Sequence, residues 1–367
     1  MRPLLLLLLV LSPLAAAAEG VVDASFRFRH ADARKRSEAV HALARLPAGW
    51  ERTRVASEAF LGTPYVLSPL GEGAGVDPDP RVRFDGVDCL TFVETALALG
   101  NAGDADDALA VLDDIRYRDG SAPAFENRLH LMIAQWIPDQ IRKGYLEEAT
   151  ARFGETTEVR VAYDEATWKT RRGALRALPW QPELEGAFTL PTLPLARAIA
   201  VAGELPEGLV INVVRKARPD RLNRVTHTGL VIVRDGRRYV RHASTGRGEV
   251  IDEPIERFLG RHAAMRRWEV DGINLLAVRD NSGRVRALRA PDSERRAALT
   301  RRGSAARRAA CEPPGVTDTR WCAPPPPPRA PSPARGRAAP RGTARRSRAP
   351  SPRTPTAPSP PRTAGWD

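Results

Sequence analysis

Two spacings of apolar residues divide the 367-residue chain. In the first half they recur every three or four positions, in "ADARKRSEAVHALARL" (31–46), "WERTRVASEAFLG" (50–62), "DADDALAVLDDIRY" (104–117) and "FENRLHLMIAQWIPDQI" (125–141). That period predicts four amphipathic helices. The first two are joined by the turn "PAG", and "TPYVLSPLGEGAGVDPDP" (63–80) reads as a Pro/Gly loop. "RVRFDG" (81–86) is read as a short strand feeding one more helix, "VDCLTFVETALAL" (87–99). From Leu209 the period shortens. "LVINVVR", "HTGLVIVR", "RYVRHAS" and "INLLAVR" are short, β-branched and bounded by turn residues, which predicts strands. Helices first and strands second give an α+β domain with one antiparallel sheet.

The two ends of the chain change this picture. Arg2, a leucine run and Ala16-Ala17-Ala18 before Glu19 have the layout of a secretory signal. The run is too short to span a bilayer comfortably, and no later stretch reaches spanning length. Residues 1–18 are therefore expected to be a signal peptide, 19–285 the folded domain and 286–367 a tail. The protein is expected in the periplasm or secreted.

The net charge of +13 is mostly a property of that tail. Residues 301–367 hold fourteen arginines against Glu312, Asp318 and Asp367, so they carry +11 and the first 300 residues only +2. The charge of the folded part thus gives no reason to expect a nucleic-acid partner. The tail, rich in Pro, Arg and Ala, has too few large apolar residues to offset its ordering entropy, and disorder is expected. It offers contacts to anionic polymers; the bland readings are a solvated extension or a shifted reading frame.

Export sharpens the question of Cys89, the only cysteine in the first 300 residues. Cys311 and Cys322 lie close enough in sequence to pair, which leaves Cys89 odd. It is either a small buried hydrophobe or a reactive thiol. In the helix 87–99, Leu90, Val93 and Leu97 share a face with Ala96 beside them, and Asp88 has the character of an N-cap. Cys89 then sits in the first turn, where free N–H groups and the helix dipole favour a thiolate and can hold an oxyanion.

A thiol nucleophile also needs a base. Asp235-Gly236 between two β-branched runs is a hairpin signal, and a two-residue loop pairs Arg234 with Arg237. In that register His227 lies opposite Ser244, and His242 is its diagonal neighbour on the same face. A base and its orienting partner would be placed in this way. Cys89, His227 and His242 as zinc ligands are the competing arrangement, but no close cysteine–histidine spacing supports it. No cofactor motif is present.

A cysteine opening a helix, then "HTGLVIV", then a polar residue within "RHAS", resembles the NlpC-like cell-wall cysteine peptidases, which are papain-like in arrangement. The segments "LGTPYV", "DCLTFVE", "FENRLH" with Trp136 after it, "LPEGLVINVVR", "HTGLVI", "RHAS" and "EVIDEPIERFL" resemble more closely the N-acetylmuramoyl-L-alanine amidase-like family, over roughly residues 50–280. The resemblance implies a papain-like α+β fold, with the nucleophile's helix packed on the sheet that carries the histidines. It implies an amidase acting on peptidoglycan or muropeptides, with Cys89 as nucleophile, His227 as its ion-paired base and His242 as orienter. Tyr65 would line the cleft and assist the oxyanion, and Arg128 and His130 would bind substrate carboxylates or sugar. Asp88 and Ser244 complete the substrate-binding or oxyanion candidates. Residues 163–204 are assigned only as a cap beside the cleft. The rival activities are cleavage between D-glutamate and the diamino acid of the stem peptide, or non-catalytic wall binding.

Overall fold

The computed structural model describes residues 22–170 and 173–289. The expected signal peptide, both tail cysteines and the Pro/Arg-rich segment lie outside the described residues. Four helices lead: α1 (Ala33–Leu43), α2 (Trp50–Glu58), α3 (Cys89–Asn101) and α4 (Ala105–Arg116). A π-helical turn (Met132–Trp136) runs into α5 (Ile137–Lys143). Next come β1 (Leu146–Glu148), β2 (Thr157–Tyr163), α6 (Glu165–Trp168), β3 (Gly186–Pro194) and α7 (Leu195–Ala200). The second half holds β4 (Leu209–Arg215), β5 (Val225–Arg234), β6 (Arg237–Ser244), β7 (Glu249–Pro254), α8 (Ile255–Ala263), β8 (Val270–Val278) and α9 (Ser282–Arg289).

All eight strands join one antiparallel sheet in the order β2-β3-β8-β4-β5-β6-β7, with β1 also paired to β8. Its two faces bury different helices. Val210, Val214, Leu230, Ile232 and Ala243 face the layer of α1–α4, where they meet Phe92, Val93 and Ala96 of α3. Ile211, Val213, Val231 and Val240 face α7 and α8, against Ala198, Ile255, Phe258 and Leu259. A strand covered on both sides can be apolar throughout, and every residue of β4 is buried. The α+β class with an antiparallel sheet read from the sequence is the class observed.

Particular elements differ from the expectation. Residues 125–141 do not form one helix. Their first part pairs backbone to backbone with the end of α4, through Arg118 N–H to Asn127 O and Leu129 N–H to Arg116 O, both 2.9 Å. That tertiary pairing leaves a single 3-10 turn at Phe125–Asn127 followed by extended backbone from Arg128, and helix resumes only beyond Leu131. No strand forms at 81–86; only Val87 bridges Tyr65, in parallel. Strands β1, β2, β3 and β7 were not foreseen. Residues 286–289, assigned to the tail, complete α9, and Arg289 bonds Asp107 there.

Residues 163–204 divide between the two faces: Tyr163, Trp168, Leu178, Leu184 and Leu190 pack with the α1–α4 layer, and Leu193, Ala198 and Val201 with α8. Trp168 is buried, Tyr163 donates its hydroxyl to Leu222 O at 2.8 Å, and Gln135 donates to Gln181 at 3.0 Å. One glycine sets how closely α3 meets its neighbour: a Cβ at Gly100 would lie 1.9 Å from the Thr53 hydroxyl of α2. The C-terminal end of α3 is thereby held close against α2.

Candidate active site

Helix α3 begins at Cys89. The Asp88 carboxylate accepts from Thr91 N–H at 2.8 Å, and the Thr91 hydroxyl accepts from Asp88 N–H at 2.9 Å, a reciprocal cap. Cys89 is therefore held where the sequence placed it. Its side chain is half-buried, and the N–H groups of Thr228, Leu90 and Cys89 itself are directed at the sulfur. The Thr228 contact seats the thiol on β5, beside the residue that follows His227. The effect on acidity is the reverse of the expectation from the helix dipole. Burial, and then the Asp88 carboxylate, outweigh the three N–H groups and push the thiol up to about 12.

The hairpin forms in the expected register. Arg234 pairs with Arg237 and Leu230 with Arg241, across a turn with positive φ at Asp235 (50°) and Gly236 (73°). The ladder stops at Leu230–Arg241, short of His227. Ser244 is thus not paired with His227; it pairs with Glu249 of β7 instead. The two imidazoles still meet: His227 Nε2 lies 2.8 Å from His242 Nδ1, with ring centroids 4.8 Å apart. Gly229 permits that approach, since a Cβ there would lie 2.9 Å from Arg241 O and 3.0 Å from the His242 Cβ.

Both rings pack on the α8 side of the sheet, with Phe258 5.8 Å from His227 and 5.3 Å from His242. Burial, then the neighbouring His242 and His262, hold His227 well below the usual imidazole range. Burial also lowers His242, although Glu253 pulls the other way. Among the described residues no hydrogen bond or ion pair joins Cys89 to His227. The resting pair is a neutral thiol and a neutral imidazole rather than the ion pair the resemblance implied. Among the described residues both nitrogens of His242 are engaged, by His227 at 2.8 Å and by Glu253 at 3.1 Å, which leaves it no free lone pair for the zinc arrangement.

Among the remaining candidates, Tyr65 is close to the sulfur: burial first, and then the charges of Cys89 and Asp88, keep its hydroxyl protonated. Its N–H donates to Gly248 O at 2.7 Å, in the turn that Ser244 organises by accepting from the N–H groups of Arg247 (3.3 Å) and Gly248 (2.8 Å). Arg128 is engaged by the protein's own loop, donating to Glu72 at 2.6 Å and Asp77 at 2.9 Å. His130 Nε2 donates to Phe125 O at 2.7 Å, and burial depresses its pKa to about 4. The structure thus sets Tyr65 and Asp88 beside Cys89, joins His227 to His242 on the α8 side of the sheet, and gives Arg128 and His130 internal partners.

Sequence reasoning missed four residues beside the histidines. Glu253 of β7 accepts from His242 Nε2 at 3.1 Å, and Arg261 donates to the same oxygen at 2.8 Å. Phe258, Arg261 and His262 come from one face of α8. The signal for Glu253 was present: in the β6–β7 register it is the diagonal neighbour of His242, as His242 is of His227.

A family model described as AmiA-like, N-acetylmuramoyl-L-alanine amidase-like, matches residues 55–265, a span holding every one of these side chains. The chain belongs to this amidase-like family. The match extends across α2 to α8 of the amidase-like domain and so covers both the cysteine helix and the histidine strands. Among solved structures, a Legionella pneumophila protein of the DUF1460 family has a similar fold, at 21% identity and a TM-score of 0.57, covering 67% of this chain and 95% of its own. An N-acetylmuramoyl-L-alanine amidase from Bacteroides uniformis aligns at 23% identity and a TM-score of 0.48, covering 62% of this chain and 98% of its own. No curated protein matches significantly. Among the described residues, no helix is long and apolar enough to cross a membrane.

Proposed function

We propose that this amidase-like chain is an exported thiol amidase, NlpC-like in the order and roles of its residues, that hydrolyses the N-acetylmuramoyl-L-alanine amide of peptidoglycan or its fragments. One observation carries the reading. A cysteine at a helix N-terminus has its sulfur against the N–H of Thr228, and the adjacent His227 is hydrogen-bonded to a second, carboxylate-held histidine.

Chemistry at such a site starts from the neutral pair. As the Cys89 sulfur attacks the amide carbonyl, His227 takes the thiol proton, acting as general base. The developing oxyanion is met by N–H groups at the start of α3 and by the Tyr65 hydroxyl, which burial keeps protonated. His227 then returns the proton to the departing amine, releasing the peptide, and water hydrolyses the thioester in a second round of the same transfers. His242 keeps the imidazole of His227 oriented throughout.

The test is mass spectrometry of purified muropeptides incubated with the protein under reducing conditions, beside Cys89→Ala. Free muramoyl sugar plus intact stem peptide, absent with the variant, is the expected result. Shortened peptides still bound to sugar would move the cut to the D-glutamyl bond. No cysteine-dependent product from any muropeptide would leave a wall-binding protein.

A further inference from the structure

We infer that Glu253 is a positioning residue that fixes the tautomers of both histidines, and so decides which nitrogen of His227 serves as the base. The consequence for catalysis rests on the thiol-amidase reading; the tautomers themselves do not.

The argument follows hydrogens along one chain of contacts. An ionised carboxylate can only accept hydrogen bonds. Glu253 lies 3.1 Å from His242 Nε2, and Arg261 donates to it at 2.8 Å, with Arg257 3.8 Å from its other oxygen. Those two guanidinium groups and His242 are the charged or titratable groups facing it, and all three favour its ionised form. Although burial opposes ionisation, the Arg261 bond and charge hold Glu253 below the usual carboxylate range.

His242 Nε2 must therefore carry a hydrogen. Neutral His242 then has a bare lone pair on Nδ1. His227 Nε2, 2.8 Å away, must carry the hydrogen of that bond. Neutral His227 is left with its lone pair on Nδ1, the nitrogen without a hydrogen-bond partner among the described residues. A carboxylate two residues removed from the cysteine thus presents a proton acceptor on the remaining nitrogen. Reverse the end of the chain and every link reverses: a donor at position 253 puts the His242 hydrogen on Nδ1, makes His227 Nε2 the acceptor, and blocks Nδ1 with a hydrogen.

Glu253→Lys supplies that donor. An ammonium offers no acceptor, whereas glutamine would keep its amide oxygen at the one position that Arg261 and His242 share. The direct measurement is the side-chain 15N shifts of histidine-labelled full-length protein at neutral pH. The expected wild-type pattern is Nε2–H on both His227 and His242, changing to Nδ1–H on both in Glu253→Lys. Muropeptide hydrolysis by Glu253→Lys should fall in kcat by about 100-fold or more with KM little changed, in line with wrong-tautomer variants of histidine–carboxylate pairs. Glu253→Asp, which keeps a pure acceptor, should retain the wild-type tautomers and recover most of the rate. Wild-type protein with Nδ1–H on His242 would overturn the inference without any variant. So would a folded Glu253→Lys that keeps both wild-type tautomers, whatever its rate. Flipped tautomers in a protein inactive on every muropeptide would count against the proposed reaction and leave the positioning role standing.

Discussion

His262 gives the sharpest quantitative expectation. It is 3% exposed, and neither ring nitrogen finds a hydrogen-bond partner among the described residues. Burial first, then Arg261 and Arg215, depress its pKa to about 3. A free histidine titrates near 6.5. Between those values the unfolded chain binds a proton that the folded chain refuses, so this residue subtracts stability as the pH falls below 6.5. At pH 5 the ratio of the two binding terms amounts to about 2 kcal/mol, and at pH 8 it is about zero. Phenylalanine removes the titration and keeps a ring against Phe258, which the imidazole meets edge-on at 4.7 Å. Urea unfolding of wild type and His262→Phe from pH 8 to pH 5 reads the effect, because burial, unchanged in the variant, remains the leading cause at His130, His227 and His242. The wild type should lose about 2 kcal/mol more than the variant over that range, with unchanged m values. Parallel losses would refute the claim that this imidazole is kept neutral. Because its ring lies 6.1 Å from that of His227, the variant also tests whether the base tolerates an apolar neighbour.

Further expectations follow from the same geometry. Asp88→Asn keeps a capping oxygen but removes the negative charge beside the thiol. The apparent pKa of Cys89, read from the pH dependence of iodoacetamide alkylation, should fall with little change in melting temperature; an unchanged pKa would remove Asp88 from the account. Gly100→Ala should cost about 1–3 kcal/mol despite alanine's better helix propensity, because the new methyl group meets Thr53; a stabilised variant would mean the α2–α3 contact yields easily. Since the His227 pKa is depressed, the neutral base persists as the pH falls. The acid limb of kcat/KM on muropeptides should therefore lie well below 6.5, and a limb at the ordinary histidine value would count against His227 as the base.

What could be read from the linear chain was whatever depends on near neighbours. Asp88 caps the helix that Cys89 opens because N-cap, thiol and Thr91 lie within four residues. Asp235-Gly236 fixes its hairpin register because the turn chemistry and a period of two leave no other pairing with the same faces inward. His227 and His242 meet for that reason alone. The segment 125–141 carried a helical period, but its backbone pairs with the end of α4, a partner that spacing cannot reveal. The acidity of Cys89 was misjudged for a related reason. The dipole is local to α3, whereas burial against β5, which outweighs it, exists only after the chain has closed on itself. Glu253 and Arg261 lie eleven and nineteen residues beyond His242 in the chain. They reach it because β7 returns beside β6 and α8 then folds over the sheet. The sequence by itself determined most of the helices, the Asp88 cap and the hairpin that joins the two histidines; the tertiary structure alone decided their protonation and supplied β1, β2, β3 and β7. Solvent exclusion and charge proximity are set by which surfaces meet, not by which residues are consecutive.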